Sequence, residues 1–297
     1  MSAVTVRDRT IEASDGRTLC VQEGGQLDGR AVLWHGGTPN SRLLFPPDIE
    51  VAGRQGVRMI SYDRPGYGDS TPQPGRNVAD CVADVRAIAQ GLGIERLAVM
   101  GGSGGGPHAL ACAALLSDLV PAVAVLASPV PFGAEGIDYF AGQGELNVED
   151  TKLLLADEEA ARRKCESDRL EMLAAEPPEL FDFLQTLLSP VDAAAMTPEL
   201  VEHLVLGTHD AMGESSEGWW EDNLALIGDW GFDLETIETP VLLRHGRQDR
   251  FVPFGHGEWL AGHVPGVEAI LTEDDGHLTL TTRHLSSIFE WLVERLD

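Results

Sequence analysis

Gly101-Gly102-Ser103-Gly104-Gly105 sets one serine between glycines, directly after Leu97-Ala98-Val99-Met100 and shortly before the small-residue run from His108 to Leu116. The apolar tetrapeptide reads as a buried strand and the run after it as a helix packed on a sheet. A serine at the apex of such a strand-to-helix turn is a candidate nucleophile, the glycines keeping side chains out of the tight turn and Pro107 fitting the first helical turn. By itself the pentapeptide names no reaction, because a chain with 33 glycines meets this pattern by chance. The decision falls to the flanking elements and to whether a base, an acid and anion-stabilising donors occur in matching contexts elsewhere.

The 297 residues can bury a full core, as one large domain or two small ones, and 43% hydrophobic content is that of a globular protein. No apolar run approaches the roughly 20 residues of a membrane span, and Met1 to Arg7 lacks the apolar core of a signal peptide, so a cytoplasmic protein that does not act at a membrane is expected. Lys and Arg number 21 against 48 Asp and Glu, a balance that argues against nucleic acid, whose phosphates need clustered cations. The net charge of −27 serves solubility, or else a field that draws in cationic substrates. Cys20, Cys81, Cys112 and Cys165 are widely spaced and read as reduced small hydrophobes.

Along the chain, Val4 to Glu12 and Thr18 to Glu23 flank Ser14-Asp15-Gly16 and predict a hairpin. Strands are then expected at Ala31–Trp34, Val57–Tyr62, Arg96–Met100 and Val123–Ala127, with a helix over Asn77–Leu92 whose Val78, Val82, Val85, Ile88 and Leu92 share one face. After Pro129 the alternation stops, and acidic, Ala- and Leu-rich segments such as Val148–Ala175 and Glu179–Leu188 predict helices. It resumes at Pro240 with strand Val241–Arg244, helix Gly255–His263, strand Glu268–Leu271 and helix Arg283–Leu296. Strands separated by helices require right-handed crossovers and a mainly parallel sheet. The expected fold is α/β, with residues 1–129 and 240–297 forming one core and residues 130–239 an inserted helical cap. Neither flank alone holds a complete sheet.

In such a sheet reactive groups gather past the carboxyl ends of the strands. There the chain carries His35-Gly36-Gly37-Thr38-Pro39, then Ser61-Tyr62-Asp63-Arg64-Pro65-Gly66-Tyr67-Gly68-Asp69-Ser70, then Ser103, then His245-Gly246-Arg247-Gln248-Asp249 with Arg250-Phe251-Val252-Pro253, then Asp274-Asp275-Gly276-His277. In these motifs, and in the order serine, acid, histidine, the chain resembles the α/β-hydrolase superfamily from end to end. The resemblance implies Ser103 as nucleophile, His277 as base, Asp249 as the acid that orients it, and the backbone N–H groups of Gly37 and Gly104 as oxyanion donors. It implies no cofactor and no metal. The residues agree: no His-Glu-x-x-His, calcium loop, paired cysteines or P-loop lysine occurs. His35, His108 and His245 read as structural, and Asp63 as part of a structural turn.

A serine esterase or lactonase acting on a small or medium, fairly apolar substrate is the expected function. Leu153-Leu154-Leu155, Phe181, Phe183, Leu184, Leu187, Leu188, Trp219 and Trp220 either line its acyl pocket or pack the cap. Proline iminopeptidases also resemble the chain in His-Gly-Gly, in Gly-Gly-Ser and in the acidic stretch Glu214–Asp222, where carboxylates would hold a substrate ammonium. The chain departs from them at Thr38, where they carry proline, and at Gly104, where they carry tryptophan. Acyl transfer, lactonisation or small-molecule reception on the same fold are further alternatives, and the oligomeric state is not written in the sequence.

Overall fold

A computed structural model describes residues 6–296. Residues 4 and 5 of the expected hairpin lie outside them. Strands β1 (Val6–Glu12) and β2 (Thr18–Gly25) pair antiparallel, with Cys20 opposite Thr10. Strand β3 (Arg30–His35), helix α1 (Pro46–Arg54), strand β4 (Val57–Tyr62), helix α2 (Cys81–Gly91), strand β5 (Ala98–Gly102), helix α3 (Gly106–Leu115) and strand β6 (Val123–Leu126) follow. Six helices come next: α4 (Glu145–Ala156), α5 (Glu158–Ala174), α6 (Pro177–Leu184), α7 (Pro190–Ala195), α8 (Pro198–Met212) and α9 (Glu217–Ile227). Strand β7 (Val241–Gly246), helix α10 (Phe254–His263), strand β8 (Glu268–Thr272) and helix α11 (Thr279–Val293) close the chain.

The eight strands form one sheet in the order β1-β2-β4-β3-β5-β6-β7-β8, parallel from β4 to β8. Side chains alternate across a strand, so each central strand feeds two cores. Leu33, Ile60, Val99, Val125 and Leu243 face α2, α3 and α10, where Val85, Ile88, Leu110 and Leu260 meet them. Val32, Met59, Met100, Ala124 and Leu242 face α1 and α11, against Ile49, Ile288, Phe289 and Leu292. These strands read as unbroken apolar runs because both faces are covered.

Helix α1 has no counterpart in the sequence reading. Pro46 and Pro47 look like a breaker, yet at the first helical turn proline costs no hydrogen bond. The expected single segment over Val148–Ala175 is two helices, separated at Asp157, whose extended backbone (φ −154°) breaks the run and whose carboxylate accepts the Ala160 N–H. Among the described residues, no helix is long and apolar enough to cross a membrane.

Candidate active site

Ser103 stands where β5 turns into α3, and its backbone is left-handed, with φ +53°. A residue with a Cβ enters that region at a cost of about 1–2 kcal/mol, so the surrounding structure has to impose it. Close packing on every side does so. A Cβ on Gly102 would lie 2.5 Å from the Trp34 ring, and one on Gly105 2.1 Å from the His35 carbonyl oxygen. The turn is thereby pressed against the end of β3, and any larger residue at either position would push it away.

The loop after β3 comes equally close. A Cβ on Gly37 would lie 3.4 Å from Ser103 Cβ and 3.9 Å from Ser103 Oγ, so the Gly37 backbone borders the serine hydroxyl. Arg64, fully buried, donates from Nη1 to the Gly36 carbonyl (2.7 Å) and from Nη2 to the Gly37 carbonyl (2.6 Å). In a trans peptide the carbonyl and the following N–H point in opposite directions, so the hold on Gly36 O also aims the Gly37 N–H. The Ser103 carbonyl likewise accepts the Gly106 N–H, which fixes the direction of the Gly104 N–H.

Arg64 is itself held by Asp222 of α9, through Nη2 to Oδ2 at 2.5 Å. Arg76 Nη2 (2.6 Å), Tyr67 Oη (3.0 Å) and Thr38 Oγ1 (2.8 Å) also donate to this carboxylate. Burial alone would raise the Asp222 pKa, but the charges of Arg64 and Arg76 hold it far below the usual carboxylate range.

Past β7, Asp249 is buried and divided between two tasks. Its Oδ1 accepts the Phe251 and Val252 N–H groups at 2.8 and 2.9 Å, and its Oδ2 lies 2.7 Å from His277 Nδ1. The Phe251 ring stacks on the imidazole with centroids 4.5 Å apart. Burial lowers the affinity of His277 for a proton, yet the charge of Asp249, its hydrogen bond and the charge of Asp192 outweigh this and raise the His277 pKa above its ordinary 6.5. No hydrogen bond joins Ser103 to His277 among the described residues. Ser103, Gly104 and Phe251, whose ring stacks on His277, line one cavity of about 230 Å³.

That cavity is mainly apolar. Leu153, Leu154, Phe183, Leu184, Leu187, Trp219 and Trp220 line it, whereas Leu155 and Phe181 are exposed and Leu188 is buried elsewhere. The carboxylates of Glu214–Asp222 are not among the lining residues, although Trp219 and Trp220 of the same stretch are. Glu217 pairs with Arg162, Glu221 accepts the Gly75 N–H, and Asp222 is bound to the two arginines. Two unforeseen carboxylates do line the cavity, Asp150 and Asp168, both bridged by Lys164 at 2.9 and 2.5 Å.

The remaining histidines have local duties. His245 Nε2 is 2.9 Å from the Val252 carbonyl oxygen, and His108 Nδ1 is 2.9 Å from that of Gly104. Burial drives the His108 pKa down to about 3 and keeps its ring neutral. His35, Cys81 and Cys112 each bring one possible metal-ligating atom within 4.8 Å of the others, all buried among the described residues. Burial raises the Cys81 thiol pKa well above normal and lowers that of His35, a setting that favours neutral, packed side chains over thiolate ligands.

The sequence signature of the alpha/beta hydrolase fold matches residues 30–283. The chain belongs to the alpha/beta hydrolase fold family. It is 27% identical to a non-heme chloroperoxidase of Streptomyces lividans over 248 residues, 82% of this chain and 83% of that protein. It is 26% identical to a bifunctional esterase/perhydrolase of Acinetobacter calcoaceticus, again over 82% of this chain and 83% of the relative. Among solved structures, a thermophilic esterase from Thermogutta terrifontis superposes with a TM-score of 0.70 at 20% identity, covering 98% of this chain and 100% of that one.

Proposed function

We propose that this member of the family is a serine hydrolase that cleaves a small or medium carboxylic ester or lactone through an acyl-enzyme on Ser103. The observation that carries the reading is the 2.7 Å contact of His277 Nδ1 with a buried Asp249, on a ring stacked against Phe251, which lines the same cavity as Ser103. An esterase/perhydrolase among the relatives supports the same reaction class.

In this reading neutral His277 takes the Ser103 proton through Nε2 as Oγ attacks the acyl carbon. Asp249 fixes the tautomer with the proton on Nδ1 and stabilises the imidazolium. The tetrahedral oxyanion is received by the Gly37 and Gly104 N–H groups. His277 then protonates the leaving alcohol, and a water, deprotonated by the same ring, releases the acid and restores Ser103. Hydrogen bonds between nucleophile and base often tighten only once substrate binds, so the absence of a Ser103–His277 bond among the described residues fits this sequence.

The helices between β6 and β7 act as a cap whose apolar wall takes the acyl or alkyl group. Glu217, Glu221 and Asp222 are committed to other partners and Glu214 is exposed, which speaks against the aminopeptidase reading. We place the protein in the cytoplasm, in keeping with its four free thiols. A fluorophosphonate probe is expected to label the wild type and not Ser103→Ala, and short-chain aryl esters are expected to be cleaved far faster than a prolyl arylamide. Labelling of Ser103→Ala would remove the nucleophile from this scheme, and preference for the arylamide would replace the substrate class.

A further inference from the structure

Asp192, in the first turn of α7, is a carboxylate with 0% exposure and, among the described residues, no Lys or Arg within ion-pair distance. Its Oδ2 accepts the His277 N–H at 3.0 Å and the Ser189 hydroxyl at 2.7 Å, and its Oδ1 accepts the Leu278 N–H at 2.8 Å. A Cβ on Gly276 would lie 2.2 Å from Oδ2, so only glycine lets the carboxylate rest against this loop. An ionised carboxylate removed from water costs several kcal/mol unless hydrogen bonds and charge offset it. Three hydrogen bonds supply part of that offset, and the side chain beside it able to become positive is His277.

The other groups around the imidazole leave the charge balance negative. Asp249 faces Nδ1, Phe251 covers a ring face, and His245, with Nε2 3.6 Å from Asp249 Oδ2, is kept neutral by burial. Asp275 is turned to Thr272, His284 and Arg283.

We infer that Asp192 is a positioning residue for His277, clamping the backbone of its loop from the cap and holding a second negative charge beside the imidazolium. The inference rests on His277 being the base of the proposed reaction. It makes the cap part of the catalytic apparatus, because the carboxylate that steadies the base is carried by a cap helix. The raised proton affinity of His277 agrees with it.

Asp192→Asn keeps the size and one acceptor while removing the charge. An NMR titration of the His277 ring, assigned by its loss in His277→Ala, should show the proton affinity of His277 lowered about tenfold. With a p-nitrophenyl ester, kcat should fall tenfold or more with KM little changed, and the acid limb of kcat/KM should move to lower pH. Asp192→Glu should not restore the wild-type values, since the tight pocket admits no longer side chain. A folded Asp192→Asn protein whose His277 titrates as in the wild type overturns the inference. If Asp192→Asn does not fold, Ser189→Ala, which removes one bond from the carboxylate, is titrated instead: a displaced His277 titration supports the inference and an unchanged one overturns it. Failure of the wild type to react with a fluorophosphonate would sink the hydrolase reading separately, since the NMR titration does not depend on turnover.

Discussion

Arg64 and Asp222 meet across 158 residues of sequence and tie the loop after β3 to helix α9, with side chains 4% and 0% exposed. Because Arg64 also holds the Gly36 and Gly37 carbonyls, one buried ion pair links α9 to the backbone beside Ser103. Asp222→Ala would leave Arg64 and Arg76 buried without a counterion. The expected loss is about 3–5 kcal/mol of stability, read by urea denaturation, with kcat/KM falling in parallel. A loss below about 1 kcal/mol would mean that the cap and loop are held by other means.

If Ser103 and His277 act as one unit, removing either should cost nearly as much as removing both. Ser103→Ala, His277→Ala and the double variant are expected to fall together by up to about a millionfold in kcat. Losses that multiply in the double variant would show that the two side chains work independently.

The proposed reaction requires neutral His277; burial lowers its pKa, but the charge and hydrogen bond of Asp249 and the charge of Asp192 together raise it above 6.5. Activity should therefore fall on acidification with an apparent pKa above 6.5 in a pH profile of kcat/KM. Stability follows the opposite sign. A raised folded-state pKa contributes stability that is fully present below the unfolded value and is lost as pH rises through the folded one. Melting curves of wild type and His277→Ala should thus differ more at pH 5 than at pH 9, and convergence at the acid end would contradict the shift.

Gly104→Ala puts a Cβ 2.4 Å from Thr38 Oγ1 and 3.3 Å from Leu226 Cδ1. Thr38 has little freedom to yield, since its hydroxyl donates to Asp222 and accepts from Arg64 at 3.0 Å. Displacement of the Gly104 N–H should lower kcat by about a hundredfold, the scale of one lost oxyanion donor. A kinetic assay showing less than a fivefold change would remove Gly104 from that role.

Much of this was legible in the chain because the relevant signals are local. Strands β3 to β7 announce themselves as short apolar runs, since burial on both faces leaves little room for polar residues; Asp249 follows β7, and His277 follows the more exposed edge strand β8. Helices α4 and α5 blurred together because helical periodicity runs through Asp157, and the break is marked by its extended backbone and its capping bond to Ala160. Asp192 gave no functional signal, and Asp222 gave only one of ligand binding. Ser189-Pro190-Val191-Asp192 reads as an ordinary helix start, and what matters is its contact with a backbone 85 residues further on. The acidic run ending at Asp222 suggested ligand binding, whereas its most buried member neutralises arginines of the core.

Ser103 is the sole residue with a side chain in the six from Gly101 to Gly106, and its left-handed backbone is one that glycine would occupy without strain. If Ser103 is the nucleophile of the proposed reaction, selection for folding and selection for turnover pull in opposite directions at this one site. A lineage released from the need to react would be free to drift to Ser103→Gly, leaving a hexaglycine turn in an otherwise intact sheet. Such a relative would be recognisable as a chemically silent descendant, its history recorded in the loss of a single hydroxyl.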